Sequence, residues 1–488
     1  MCVCQIDAQK HCFVRYVILE HLRVCPNLST YNNRWYISRE IAIFWTHSLS
    51  MLSRRFYMHF FACLGVIFIY ICWRRYVEWG IPHSLVNSFA LISIISIIVI
   101  LYSFIYKNNP FTPYTVYSLF IFLFAYSFIP FNSSNEGLDA YCLLIFFLTI
   151  LFFIIGIFIG ENIKSRFRFL RVTNKSRLFI FNCVVAFSIV VFLLECIKIG
   201  FIPIQKILST DVYSLMNDNA IPILHYFVQA VYIIPIWAHL LYKNKFITKR
   251  KRNKIIFISL FIIINYLSRQ MWLLSIICIG IMYLYYKRLS IRKLILFSIL
   301  PLIIFLLLGA IRLATVVRDD RNNVEYLKAY ANTQYDANLL EVYIGLYSTN
   351  NFTTFKKFVS ESDRMEYRGY GVYTFRPLYT ILLLNQIKEF DINDRFNSFA
   401  ALGTYAIEPY LDFGLLGVVI VNLLYGVIVG YIYKRYKQKQ YRWIIPWGLM
   451  IYCMIMSSFT NYYNTFFIWF IIAVNFFILP IHVPRNKK

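Results

Sequence analysis

Long apolar runs alternate with short polar connections along most of this chain, and the length of the runs sets what they can be. A bilayer core about 30 Å thick takes about 20 apolar residues per helix, with a working range of 17–25. On that basis the pattern predicts twelve membrane-spanning helices. The first six are Phe56–Trp73, Leu85–Tyr106, Tyr114–Phe131, Leu138–Gly160, Leu178–Ile199 and Ile221–Tyr242. The last six are Ile255–Leu267, Met271–Tyr286, Leu294–Ala314, Tyr410–Tyr433, Trp443–Phe459 and Thr465–His482. The expected fold is therefore an all-α polytopic membrane protein of about 12 transmembrane helices with one large extracytoplasmic loop.

The basic residues orient these spans. Connections 161–177, 243–254, 287–293 and 434–442 hold 6, 7, 4 and 5 Lys and Arg, which places all four on the cytoplasmic side. Both termini are then cytoplasmic, with a segment 1–55 before the first span and a tail 483–488 after the last. Spans 1–9 occupy 56–315 and spans 10–12 occupy 409–482, with the outer loop 316–408 between them. That loop holds 12 of the 23 acidic residues and 10 basic ones, the charge density of a soluble subdomain. Its apolar stretches Leu339–Leu346 and Leu378–Leu384 are too short to span and are expected as helices on the membrane face. The seventh and eighth spans are short, so the Ser268-Arg269-Gln270 turn between them is expected below the outer surface.

Composition agrees with this reading. Hydrophobic residues make up 59% of the 488 and charged residues 15%, against about 45–50% and about 25% in soluble chains. The net charge of +26 does not point to nucleic acid, because the basic residues sit in clusters between spans. Seven of the eleven Cys lie singly inside apolar runs, where Cys acts as a small hydrophobe. The other four, Cys2, Cys4, Cys12 and Cys25, show no two-residue spacing of a zinc loop. The first fifty residues differ in texture from the rest, and Met51 opens a typical membrane-protein start. Residues 1–50 therefore read as an over-extended reading frame, without the apolar core of a signal peptide.

Soluble-enzyme signatures are missing from the sequence. It has no Gly-rich phosphate loop with Lys, no His-Glu-x-x-His helix and no Gly-x-Ser-x-Gly elbow. No His falls in the outer loop, so a proton acceptor there is a carboxylate or a Tyr. No metal and no cofactor are expected. Arginine is the stronger signal: Arg269 in the turn and Arg312 near a span end are costly in lipid and are functional candidates for that reason. Arg318, Arg321, Arg364, Arg368, Arg376 and Arg395 add planar forks suited to phosphate oxygens. Glu195 and Lys198 stand three apart on one helix face and are expected to neutralise each other. His225 is expected as a satisfied residue at a helix interface.

The chain re-enters the membrane through Glu408-Pro-Tyr-Leu-Asp412-Phe-Gly414-Leu-Leu-Gly417. Pro409 suits a first helical turn, and Glu408 and Asp412 suit the positive end of the helix dipole. Gly414, Gly417, Gly426 and Gly430 permit close helix packing.

This run resembles the Wzy-type oligosaccharide repeat-unit (O-antigen) polymerases. So do Lys198-Ile-Gly-Phe-Ile-Pro-Ile204, the Tyr266–Leu274 turn YLSRQMWLL and the single large outer loop, over roughly residues 178 to 433. The related O-antigen ligases share the layout but rely on a His in the large loop, which this chain lacks. By the resemblance, Arg269 matches an outer-loop arginine, and Asp412 and Gly414 match the Asp-Phe-Gly entry. The resemblance implies a glycosyltransferase of the bacterial inner membrane that builds O-antigen or capsular polysaccharide from polyprenyl-pyrophosphate-linked units. Its partners would be that lipid-linked oligosaccharide, the membrane and a chain-length regulator.

For such chemistry the candidate catalytic residues are Arg269, Glu408 and Asp412, with Asp391 and Asp394 as further carboxylates. Arg312, Arg318, Arg321, Arg376 and Arg395 are the candidate pyrophosphate- or sugar-binding residues. A flippase or transporter of the lipid-linked unit is the competing reading. Transporters are commonly built from repeats, and the spans here divide nine to three around the loop.

Overall fold

The computed structural model describes residues 112–118, 140–164, 172–206, 215–216, 218–266, 268–286, 350–364, 368–382 and 404–480, all within one compact unit, Arg75–Lys488. Spans one, two and nine, the segment 1–55 and the tail 483–488 lie outside the described residues. Of span three, residues 113–118 are helical. Among the described residues every regular element is a helix. Four stretches, Leu144–Asn162, Asn174–Ile199, Arg269–Tyr286 and Ile407–Lys437, are long and apolar enough to cross a membrane. The described residues are all-helical, as expected of a multi-pass membrane protein.

In chain order the helices are α1 (Ala140–Asn162), α2 (Asn174–Ile199), α3 (His225–Ala230), α4 (Ile234–Lys243), α5 (Lys249–Tyr266) and α6 (Arg269–Tyr286). Then come α7 (Asn350–Arg364), α8 (Arg376–Ile381), α9 (Ile407–Lys437), α10 (Ile444–Met456) and α11 (Phe466–Ile478). Local sequence explains several of the ends. The Thr173 hydroxyl caps α2 by accepting from the Ser176 amide at 3.2 Å. Gly200 ends the same helix in the left-handed region at φ 85°, and its N–H returns to the Cys196 carbonyl at 2.9 Å.

Two expectations from the pattern change here. The span expected over Ile221–Tyr242 is broken into α3 and α4 by a turn at 231–233. Pro235 sits in the first turn of α4 and has no N–H to continue the ladder backwards. The Ile236 amide pairs with Ile233, and the Tyr232 carbonyl accepts instead from the Ser275 hydroxyl of α6 at 2.8 Å. Helices α5 and α6 have 18 residues each, about 27 Å at 1.5 Å per residue, because α5 begins in its basic connection. The apolar part of α5 still begins at Ile255, so the added turns lie in the basic connection and leave the expected depth of the turn unaltered.

The most extensive packing joins α1 to α9, and small residues make it possible. Gly156 and Gly160 on α1 face Gly426 and Gly430 on α9, the same four-residue spacing on both helices. A Cβ on Gly156 would lie 2.9 Å from the Gly426 Cα, and one on Gly430 would lie 3.0 Å from the Glu161 amide. Bulk at Gly426 therefore meets backbone that cannot swing aside. Gly426→Leu is expected to lower the thermal unfolding midpoint in detergent through about 1–3 kcal/mol of overpacking or more. Gly280→Leu, where a Cβ meets nothing within 4 Å, is expected to leave it unchanged. Equal midpoints for the two variants would show that the α1–α9 contact does not hold the fold.

Two arginines gather around the last carbonyls of α11. Arg177 donates to the Leu479 carbonyl at 2.6 Å, and Arg442 approaches the same oxygen at 3.5 Å. Cations suit the negative end of a helix dipole. Burial and the neighbouring Arg177 push the Arg442 guanidinium down to about 10.

Candidate functional site

The entry of α9 is broken, and the break makes a binding edge out of a helix. Gly414 has φ 62° and ψ −147°, far outside the helical region and readily adopted only by glycine. Space does not require glycine there, since the nearest outside atom, Arg368 Nε, is 3.5 Å from a built Cβ. The backbone angle does. Of the four glycines expected to pack helices, Gly426 and Gly430 do so against α1. Gly417 closes the break against the Pro409 carbonyl, and Gly414 is the break itself.

Carbonyls before the break accept from outside the helix. The Leu411 carbonyl takes the Gly369 amide at 2.9 Å, and the Asp412 carbonyl takes the Tyr370 amide at 3.3 Å. The Asp412 side chain extends the same docking. Its Oδ1 accepts the Tyr373 amide at 3.3 Å and its Oδ2 the Thr374 amide at 2.6 Å. Asp412 is fully buried and, rather than capping its own helix, ties the turn 369–374 to α9. Gly369 lies close against it, where a Cβ would come 2.5 Å from Oδ1.

Glu408, one turn earlier, is buried and faces different company. Asn464, in the connection between α10 and α11, donates to Glu408 Oε2 and to the Tyr373 carbonyl, the latter at 2.6 Å. Asn461, which donates to the Tyr425 hydroxyl at 3.4 Å, lies near the same carboxylate. Arg376, exposed at the head of α8, is close enough to act electrostatically on Glu408, as is Asp412. One carboxylate is thus held by a side-chain amide within the field of a cation, while the other holds a turn.

A third cluster lies alongside. Helix α7 buries Phe355, Phe358, Val359 and Ser362, a helical stripe in a stretch too polar on average to stand out in an apolar scan. It presents Asp363, both of whose oxygens accept the Tyr410 hydroxyl at 2.7 Å. Arg368 bridges Asp363 at 3.2 Å and the Ser362 hydroxyl at 2.9 Å. Its guanidinium carbon lies 5.5 Å from the Tyr410 ring centroid. The segment expected as a short helix near Leu378–Leu384 is α8, and its Leu378, Ile381 and Leu382 are exposed apolar side chains. The Leu339–Leu346 segment lies outside the described residues.

Arg269 is half-buried at the head of α6. The pair expected between Glu195 and Lys198 is not formed. Lys198 donates to the Asn219 carbonyl at 3.0 Å, and Glu195 Oε1 instead lies 2.8 Å from His225 Nδ1. A buried carboxylate gains more from a buried imidazole than from a flexible ammonium that can reach the surface. His225 is the satisfied interface residue expected of it.

Of the sequence-derived candidates, the structure brings Glu408, Asp412 and Arg376 together. Arg312, Arg318, Arg321 and Arg395 lie outside the described residues, as do Asp391 and Asp394. Asn464, Asp363 and Tyr410 were missed by the sequence reading. The polar run Asn461–Asn464 between two apolar spans was a usable signal; Asp363 and Tyr410 carried none until α7 was placed. Comparison with known protein families, curated proteins and solved structures finds no match to this chain.

Proposed function

We propose that this protein joins polyprenyl-pyrophosphate-linked oligosaccharide repeat units on the outer face of a bacterial inner membrane, extending O-antigen or capsular polysaccharide. The observation that carries the reading is the entry of α9. A buried carboxylate, Glu408, is held by Asn464 within the field of the cation Arg376, on a helix opened at Gly414 to hold the turn that precedes that cation. In the proposed reaction an acceptor hydroxyl attacks the anomeric carbon of the growing glycan. Glu408 takes the hydroxyl proton as the bond to the pyrophosphate breaks. Arg376 and Arg269 balance the charge that develops on the departing pyrophosphate, with Arg312 near a span end and Arg318, Arg321 and Arg395 of the loop as further cations. Asp412 positions the loop and does not touch substrate. The direction of the spans, with both termini cytoplasmic and 316–408 outside, belongs to the same proposal.

The test is incubation of the purified protein with lipid-linked repeat units, reading product length on a gel. A ladder of lengthening products is expected. Movement of labelled units across proteoliposomes without any ladder would replace this reading with that of a flippase.

Arg269 gives a narrower expectation. Arg269→Ala should stop chain growth while the protein stays in the membrane at normal abundance. Arg269→Lys keeps the charge but loses the bidentate fork and should remain impaired. Full chain growth by Arg269→Ala would remove Arg269 from the mechanism. Loss of abundance that Lys restores would make it a structural ion-pair partner.

A further inference from the structure

Helices α2, α3 and α5 bring three polar side chains into one buried chain that ends next to Arg269. The Tyr266 hydroxyl, from the last residue of α5, hydrogen-bonds His225 Nε2, and His225 Nδ1 meets Glu195 Oε1 at 2.8 Å. Their exposures are 0% for Glu195, 2% for Tyr266 and 7% for His225, so water does not carry these contacts. The same Glu195 oxygen accepts the Ile221 amide at 3.2 Å, and Oε2 has no hydrogen-bond partner among the described residues. Apolar side chains of similar volume hold helices together at least as well as a buried ionisable pair. A polar chain kept at such a place fixes one arrangement rather than adding stability.

What it fixes is the turn between α5 and α6. Tyr266 precedes Arg269 by three residues, and the same few residues carry two more tethers. The Asn265 side-chain oxygen accepts the Ile204 amide at 3.0 Å, and the Ser268 amide donates to the Tyr232 hydroxyl at 3.3 Å. Helix α3 also reaches the other site. Tyr226, beside His225, interacts with Thr380 and Arg376 on α8.

We infer that Glu195, His225 and Tyr266 are positioning residues that hold Arg269 for the pyrophosphate of a lipid-linked ligand, acting through the α5–α6 turn. This rests on the proposed function for the identity of the ligand. Neither Glu195 nor His225 touches it; both act by holding Tyr266 and the residues that follow.

The experiment is a double-mutant cycle on the full-length protein in nanodiscs, with undecaprenyl pyrophosphate as the probe and undecaprenol as the control. Tyr266→Phe and Glu195→Gln should each weaken pyrophosphate-lipid binding about tenfold, the loss of one charge-linked hydrogen bond. Tyr266→Phe leaves His225 Nε2 unpaired and should lower the thermal midpoint modestly, Glu195→Gln less, with both still folded in the nanodisc, and undecaprenol binding should not change. In an Arg269→Ala background the same substitutions should add less than twofold, because they act through a side chain already removed. Additive losses in the double variants, or single variants that bind like the unsubstituted protein, would overturn the inference. Should Glu195→Gln not fold, His225→Gln, which keeps a donor and an acceptor, takes its place in the cycle with the same expected outcome. An unsubstituted protein that binds the pyrophosphate lipid but builds no polymer would sink the polymerase reading and leave the positioning intact. One that does not bind it would sink both.

Discussion

Glu408→Gln is expected to cut chain growth by two orders of magnitude or more while leaving the protein folded. Glutamine has the same shape, and its amide oxygen can still accept from Asn464, so the contact between α9 and the α10–α11 connection survives. What it loses is the ability to take a proton, and positioned general bases contribute about 10²–10⁴-fold. The loss should fall on kcat, with substrate binding little affected, because the proton moves only in the transition state. The measurement is initial rate of glycan extension against lipid-linked acceptor, beside membrane abundance and thermal midpoint. A variant that keeps a tenth or more of normal kcat would show that Glu408 is not the base. Asn464→Ala should be milder, since it removes a donor and leaves the carboxylate.

Asp412→Ala should fail for a different reason and in a different measurement. Removing this carboxylate leaves the Tyr373 and Thr374 amides without their acceptor. An unsatisfied buried donor costs about 1–3 kcal/mol, so two of them approach the size of a domain's whole margin. The turn 369–374 should come away from α9 and carry Arg376 with it. Faster proteolysis within residues 368–376 and a lowered thermal midpoint are therefore expected together with lost activity. Asp412→Asn keeps one acceptor oxygen and should fall between the two. If Asp412→Ala unfolds at the normal temperature yet makes no polymer, Asp412 belongs to the chemistry and the anchoring role is wrong.

Both expectations depend on geometry that the residue pattern reached only in part. The re-entry motif was legible as a motif: a Pro in a first turn, two carboxylates near a helix start and a set of glycines. Its meaning was not. Glycines read as a packing surface turn out to do two jobs, since Gly426 and Gly430 pack while Gly414 breaks the helix. A dihedral angle leaves no trace in composition, and both roles ask for the same residue. Glu195 shows the same limit. Its neighbour at three residues was a reasonable partner by helical spacing, but His225, 30 residues away, was closer once α3 folded against α2.

The sequence by itself determined that this is a multi-pass helical membrane protein, because a run of apolar residues has few other stable places to go. It also located most of the described helices to within a few residues, since hydropathy acts locally and a helix satisfies its own backbone. It marked Arg269 and Arg312 as costly in lipid, and Glu408 and Asp412 as carboxylates at the start of a helix. Only the tertiary structure decided which of them meet. Asp412 and Glu408 are four residues apart on one helix, yet one binds the backbone of a distant turn and the other an asparagine from a different connection. Such partners are chosen by where separate helices come to rest, and that is set by close packing such as the Gly156–Gly426 contact, not by anything adjacent in the chain.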